Sequence, residues 1–505
     1  MFSDKSDFEP VGFNSDWRKT LSLKDSSTQA DPLKTSENET QTNTMQESGT
    51  QTVEPGRSTT KDPDNQINSP SLAKFLARAT PIIEKELDSA RRSRAFDGYG
   101  LIDDAEDKTV TKLHTLNNSS PDDGSVLVSA VTWSSSGSVL ALMYEMSEHE
   151  EWCSHDKTID VWNLTRRDFD PAVPNQQITV SSCVTAGKFH PRDPTLLLAG
   201  AFTGELMVFS VSSSSSNDPL VASSAIAAIG HREKVTSIQW IISNSGEKAQ
   251  IISAALDGKL ILWSLDVGSG ILKPLKVFIV LAEHLPRALK VRSRSKTEVG
   301  VTAISLNSED SDIIMIGTEA GVIFQGSLSS EAPAAPSEMS DEIPWRDPVS
   351  VVFSGHRGRV VSLKTSPFHR DIFASLGTDH EIRIFSLLSP HTPALVIHQE
   401  DSVITDFDFS PVRPLVFGVT TTNSSLRMFD FKISKAGCAL ELKATERRIP
   451  LALTALSFNK RDHGLVATGD GMGRCHVWKL SNELMSANAT ETKHLDALVA
   501  TANEE

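Results

Sequence analysis

The sequence has little tyrosine, 2 in 505 residues, and few aromatic side chains of any kind, at 6%. It holds 4 cysteines. Cys153, Cys183, Cys438 and Cys475 show no CxxC spacing and fall mostly in predicted strands. That argues against a thiol metal motif or a disulfide framework and for a reduced, cytosolic chain. No apolar run approaches about eighteen residues, so neither a membrane-spanning helix nor direct membrane insertion is expected. Met1 to Trp17 is polar and acidic rather than basic then apolar, unlike a signal peptide. Basic residues are the minority, 49 Lys and Arg against 65 Asp and Glu, for a formal net charge of -16. An acidic chain is a poor partner for a polyanion, so no nucleic-acid partner is expected.

What is present is a repeat. The clearest copy opens at Gly230-His231, runs through the apolar stretches Val235 to Trp240 and Ile251 to Ser253, turns at Asp257-Gly258 and closes on Lys259 to Trp263. Short alternating runs separated by turn residues predict a small antiparallel sheet that cannot bury both faces alone. The opening strand recurs at Ala130 to Trp133, Val184 to Phe189, Val301 to Leu306, Val361 to Leu363, Ile404 to Phe409 and Leu453 to Phe458. Each copy is followed by a strand ending near Trp162, Phe209, Trp263, Gly326, Phe385, Phe429 or Trp478, at intervals of roughly forty to sixty residues. The fourth copy is degenerate, closing on Gly326 where the others have an aromatic residue.

Over roughly residues 109–481 the chain resembles the WD-repeat family. The resemblance implies an all-β, seven-bladed propeller. It also implies that the N-terminal end of the domain supplies the outermost strand of the last blade, and Thr109 to Leu116 is placed to do so. A ring closed in that way has no free edge.

His231, Ser253 and Asp257 recur as His356, Ser375 and Asp379, with Ser ten and Asp six residues before the closing aromatic, Trp263 or Phe385. A Ser-His-Asp set invites a hydrolase reading. A catalytic set repeated at blade spacing is instead a network tying each blade together, since buried His and Asp must be paired. No catalytic residue and no cofactor or metal site is called, and the chain is read as a non-enzyme.

Residues 1–69 are rich in Ser, Thr, Asn, Gln and Asp and too poor in apolar side chains to offset the entropy of ordering; they are expected to be disordered. Within them Thr40-Gln41-Thr42 and Thr50-Gln51-Thr52 repeat, with Thr28-Gln29 as a weaker third copy. An extended segment can add to an exposed sheet edge, its alternate side chains giving specificity. The signature resembles the peptide bound by the dimeric hub-type light chain of dynein; an inert, phosphorylation-prone linker is the alternative.

A helix follows. Ser69 can cap it and Pro70 can occupy its first position; Leu72, Phe75, Leu76, Ala79, Ile83, Leu87 and Ala90 then share one face. Pro81 is expected to kink or divide it after Thr80. Such a face needs either a partner groove or the chain's own propeller to cover it.

The order polar segment, paired Thr-Gln-Thr motifs, amphipathic helix and propeller is similar to the dynein intermediate chains. It is nearer to the ciliary retrograde branch, cytoplasmic dynein 2, because Met1 to Leu23 offers no long charged helix like that of the cargo branch. The resemblance implies a scaffold of a motor complex, found in cytoplasm, cytoskeleton and cilium, axoneme and basal body included. It further implies hub-type light chains on the Thr-Gln-Thr motifs, a roadblock-type light chain on the helix, and the heavy chain on the propeller. A second intermediate chain is a further candidate partner. The expected layout is 1–69 light-chain-binding tail, 70–96 docking helix, 97–108 linker, 109–481 propeller and 482–505 polar tail.

Ser212 to Ser216 and Ser327 to Asp347 are expected to be flexible surface loops, and Arg287, Lys290, Arg292, Arg294 and Lys296 a solvated basic run. Cys475-His476 hints at a metal, but adjacent strand residues face opposite ways. A ubiquitin-ligase substrate receptor or a chromatin-associated scaffold would share the ring and remains the alternative function.

Overall fold

The computed structural model describes residues 70–92, 110–117, 126–149, 153, 157–211, 218–224, 229–242, 249–287, 289–290, 297–334, 343–399, 401–434, 437–445, 451–486 and 491–495. They divide into two units, one holding an N-terminal helix and the other all the strands. The helix, α1, spans Pro70–Arg92 without interruption. Pro81 therefore does not divide it, contrary to expectation. The proline lacks the N–H that would reach Ala77, and one residue earlier the Thr80 hydroxyl donates to the Leu76 carbonyl at 2.7 Å.

The strands form seven four-stranded antiparallel blades. The first comprises β1 (Thr111–Leu116) only by sequence order; in space it is β2 (Val126–Trp133), β3 (Val139–Met146), β4 (Lys157–Asn163) and β5 (Gln176–Val180). Next come β6 (Val184–Phe189), β7 (Leu196–Ala201), β8 (Leu206–Ser210) and β9 (Leu220–Ser223), then β10 (Val235–Ile241), β11 (Gln250–Ala255), β12 (Lys259–Asp266) and β13 (Ile271–Ile279). These two blades touch through one parallel bridge, Ile271 to Ser223. The fourth has β14 (Val301–Leu306), β15 (Ile313–Thr318), β16 (Ile323–Ser327) and β18 (Val349–Phe353); β17 (Trp345–Arg346) lies elsewhere. The fifth and sixth are β19 (Val360–Thr365) to β22 (Leu395–His398) and β23 (Ile404–Phe409) to β26 (Leu440–Lys443). The last has β27 (Leu453–Phe458), β28 (Leu465–Asp470) and β29 (Cys475–Lys479), and β1 pairs antiparallel with β29 as its outer strand. First strands of successive blades lie side by side around the circle, β27 beside β2 included. The domain's own beginning thus supplies the outer strand of the last blade and ties the two ends of the ring together.

Every first strand carries a bulge, after its third residue, Val128, in β2 and after its opening residue, Val184, Val235, Val301, Val360, Ile404 and Leu453, in the others. A bulge re-aims the extra residue's side chain. In six blades that residue is Ser or Thr, and in five its hydroxyl donates to the carbonyl of the residue that precedes the next blade's bulge. The bonds run Ser129 to Val184, Thr185 to Val235, Thr236 to Val301, Thr405 to Leu453 and Thr454 to Val128. This is why threonine recurs second in the motif. The fifth blade breaks the rule with Val361, and its strand opens at Val360, one residue before the start expected from sequence. Thr302 keeps the hydroxyl, but its Oγ1 is buried and makes no hydrogen bond. First strands also leave backbone N–H groups outside their own sheet, and side chains of the preceding blade accept them: Asp406 from Leu456, Asp408 from Phe458, Thr132 from Phe189 and Ser305 from Thr365.

The degenerate fourth blade is complete. Its aromatic sits two residues early, as fully buried Phe324, on the same face of β16 that Gly326 leaves bare. A side chain at 326 would meet the Pro348 carbonyl oxygen at 3.0 Å. Ser327 to Asp347, expected to be a flexible loop, is ordered in its described parts. Ala334 N–H donates to the Trp345 carbonyl and Asp347 N–H to that of Ala332, and β17 adds in parallel to β13 of the neighbouring blade. The Lys259 ammonium stands 5.4 Å from the Trp345 ring centroid.

One further expectation needs correction. Of the cysteines only Cys475 lies in a strand; Cys153, Cys183 and Cys438 are in loops. The polar tail is docked where it is described: α2 (Asn482–Met485) buries Leu484, and Glu491 and Leu495 are buried as well. Buried Arg413 holds the Glu491 carboxylate at 2.7 Å and Asp430 at 2.8 Å, and it donates to the Glu483 carbonyl.

Candidate functional site: the blade networks and the exposed helix

In the third blade His231 enters from the loop before β10, Ser253 sits mid-β11, Asp257 opens the β11–β12 turn and Trp263 lies on β12. Gly258 completes the turn at φ 77°, a left-handed conformation that glycine adopts freely. His231 Nε2 is 2.7 Å from Ser253 Oγ and Nδ1 is 3.3 Å from Asp257. The Trp263 indole N–H donates to Ser253 Oγ at 2.8 Å. Burial acts to raise the Asp257 carboxyl, yet His231, the Lys259 ammonium and the Arg232 N–H together hold it below the usual carboxylate range.

The fifth blade repeats this with His356 Nε2 2.7 Å from Ser375 Oγ and Nδ1 2.9 Å from Asp379. Burial opposes ionisation of Asp379 too, but His356, the Arg357 N–H and Arg383 keep it well below the ordinary value. Phe385 replaces the tryptophan and offers no donor to Ser375. His380 takes the place of Gly258 with φ 65° and is strained there.

Connectivity alone would pass for a Ser-His-Asp triad. Access is what differs. Both histidine side chains are 0% exposed, and so are Ser253 and Ser375. Ser253 Oγ is also occupied by an indole donor, so no acyl carbon can approach it. His356, Asp379 and Glu381 bring ligand atoms within 4.8 Å of one another, but both imidazole nitrogens of His356 already serve Ser375 and Asp379.

Other blades improvise. In the last, Thr468 takes the serine's place ten residues before Trp478 and accepts its indole N–H at 3.0 Å. The histidine there comes from β29: His476 Nε2 faces Asp470 at 3.4 Å without a well-directed hydrogen bond, and Nδ1 lies 3.4 Å from the Thr115 hydroxyl. In the first blade Asp160 accepts from the Tyr144 hydroxyl and from Gln177, both at 3.1 Å. Burial above all, then Asp160, pushes the Tyr144 phenol well up. The Ser-to-aromatic spacing of ten could have revealed Thr468; the Tyr144 network has no repeat signature.

On α1, Phe75, Leu76, Ile83 and Leu87 are exposed and Ala79 is half-buried, and nothing is described of the Leu72 or Ala90 side chains. Ile82, 63% exposed, belongs to the same stripe, seven residues after Phe75. That spacing made it findable. Thr28, Gln29, Thr40, Gln41, Thr42, Thr50, Gln51 and Thr52 lie outside the described residues, as do Arg292, Arg294 and Lys296 of the basic run. No described helix is long and apolar enough to cross a membrane.

No protein-family model matches the chain. Among curated proteins, cytoplasmic dynein 2 intermediate chain 2 of Mus musculus is 32% identical over 491 residues, covering 96% of this chain and 90% of that protein. The chain belongs to the dynein intermediate chains. The Homo sapiens cytoplasmic dynein 2 intermediate chain 2 is likewise 32% identical, over 441 residues, 87% of this chain and 81% of the relative. The 70 kDa intermediate chain of the Chlamydomonas reinhardtii flagellar outer arm is 26% identical over 396 residues, 77% of this chain and 62% of that one. As a dynein intermediate chain it is a motor-complex subunit, and its paired blade networks are those of its propeller.

Proposed function

We propose that this dynein subunit is a non-catalytic scaffold that links dimeric light chains to a heavy chain for retrograde transport within cilia and for cilium assembly. Likeness to cytoplasmic dynein 2 intermediate chains along 96% of the chain carries the reading. In it, residues 1–69 recruit hub-type light chains at Thr40-Gln41-Thr42 and Thr50-Gln51-Thr52, with Thr28-Gln29 as a weaker site. The 70–96 segment offers the stripe Leu72, Phe75, Leu76, Ala79, Ile83 and Leu87, with Ile82, to a roadblock-type light chain. The 109–481 ring meets the heavy chain through loops on a rigid platform. Two such chains aligned by two-fold light chains gain effective concentration, so weak sites suffice to pair two motors.

Exposure of five large apolar side chains on one helix supports the docking role, because a face of that kind is costly to leave in water. Titration calorimetry of a peptide spanning Glu37 to Glu54 against the hub-type light chain tests the first site. Saturable heat at tens of micromolar or tighter is expected, and its absence removes the hub assignment.

A further inference from the structure

The blade networks leave unused a cluster at the junction of the first two blades. Cys153 lies in the β3–β4 connection, Cys183 immediately precedes β6, and His149 follows β3. Their ligand atoms all lie within 4.8 Å of one another. Cys153 is 2% and Cys183 0% exposed. The Cys183 N–H donates to Cys153 Sγ at 3.3 Å, as backbone amides do to metal-bound thiolates. The imidazole is fixed independently: it stacks on Phe202 at 4.2 Å with planes 10° apart, and Nδ1 is 3.9 Å from the Glu145 carboxylate. Lys234 pairs with that carboxylate and stands over the Phe202 ring.

We propose that His149, Cys153 and Cys183 bind a zinc ion that staples the β3–β4 loop of the first blade to the entry of the second. Two soft sulfurs and one imidazole match zinc's preference for tetrahedral S and N donors, and a solvent molecule can complete the set. Around one zinc the donors sit about 3.5–3.8 Å apart, so the cluster needs to contract by only about 1 Å. Glu145 is placed to hold the imidazole ring, the usual second partner of a metal-bound histidine. A disulfide would use both sulfurs but needs no third donor beside them. A divalent cation stabilises thiolates, so binding would release protons.

The test uses the untagged, reduced full-length chain titrated with Co2+ as a spectroscopic stand-in for zinc. One equivalent is expected to bind with a thiolate-to-cobalt charge-transfer band that zinc displaces. Cys153→Ser and Cys183→Ser are expected to abolish the band, while Cys438→Ser leaves it unchanged. His149→Gln replaces a side chain that is 7% exposed by one of similar size, leaves both cysteines in place, and keeps the test open if a cysteine variant fails to fold; it is expected to weaken binding at least about tenfold. Absence of the band, its survival in either folded cysteine variant or undiminished affinity in His149→Gln overturns the proposal. So does a Cys153–Cys183 disulfide in protein kept from air.

Discussion

Replacing Ser253 by alanine is expected to cost more than the same change at Ser375, although the two serines hold equivalent places. Loss of the Ser253 hydroxyl orphans two buried groups, His231 Nε2 and the Trp263 indole N–H. At about 1–3 kcal/mol for each buried group left unpaired, the variant should lose about 2–6 kcal/mol. Loss of the Ser375 hydroxyl orphans only His356 Nε2, because Phe385 has no N–H to leave behind, and should cost about 1–3 kcal/mol. Urea unfolding followed by tryptophan fluorescence and far-ultraviolet circular dichroism measures both against the parent. The order of midpoints should be parent, Ser375→Ala, Ser253→Ala. Equal midpoints for the two variants would refute the donor count. Covalent capture of either serine by a fluorophosphonate would refute the claim that they are closed to substrates.

Glu491→Ala removes one of two carboxylates from buried Arg413 while Asp430 remains, so a loss of about 2–3 kcal/mol is expected in the same unfolding assay. An unchanged midpoint would mean the C-terminal segment is not docked. Thr236→Val breaks an inter-blade hydrogen bond and should cost about 1 kcal/mol, whereas Thr302→Val removes a buried hydroxyl with no partner and should be neutral or stabilising. The depressed carboxyls of Asp257 and Asp379 contribute stability that is complete above the unfolded value of about 4 and lost as pH falls toward their folded values. Thermal scans at decreasing pH should show that decline, and the double variant Asp257→Asn, Asp379→Asn should flatten it.

The ring was readable because each blade advertises itself locally: alternating apolar strands, a turn such as Asp257-Gly258, and Thr at the bulge that reaches the next blade. Even the degenerate blade followed the plan once Phe324 stood in for the missing aromatic. What escaped has no local period. Arg413 meets Glu491 across most of two blades of sequence, β17 returns to β13 after an insertion, and Cys183 meets His149 and Cys153 of the β3–β4 connection from the separate connection that precedes β6. Each depends on where distant loops end, which periodicity does not encode. Ile82 is different: the helical period marks it as clearly as its neighbour Ile83.

The most direct test of the scaffold claim is recovery of partners by the intact chain and by a deletion of Ser26 through Phe96, each purified from ciliated cells and compared by quantitative mass spectrometry. The deleted protein is expected to lose hub-type and roadblock-type light chains while retaining the heavy chain. Light chains recovered undiminished with the deleted protein would contradict the scaffold claim.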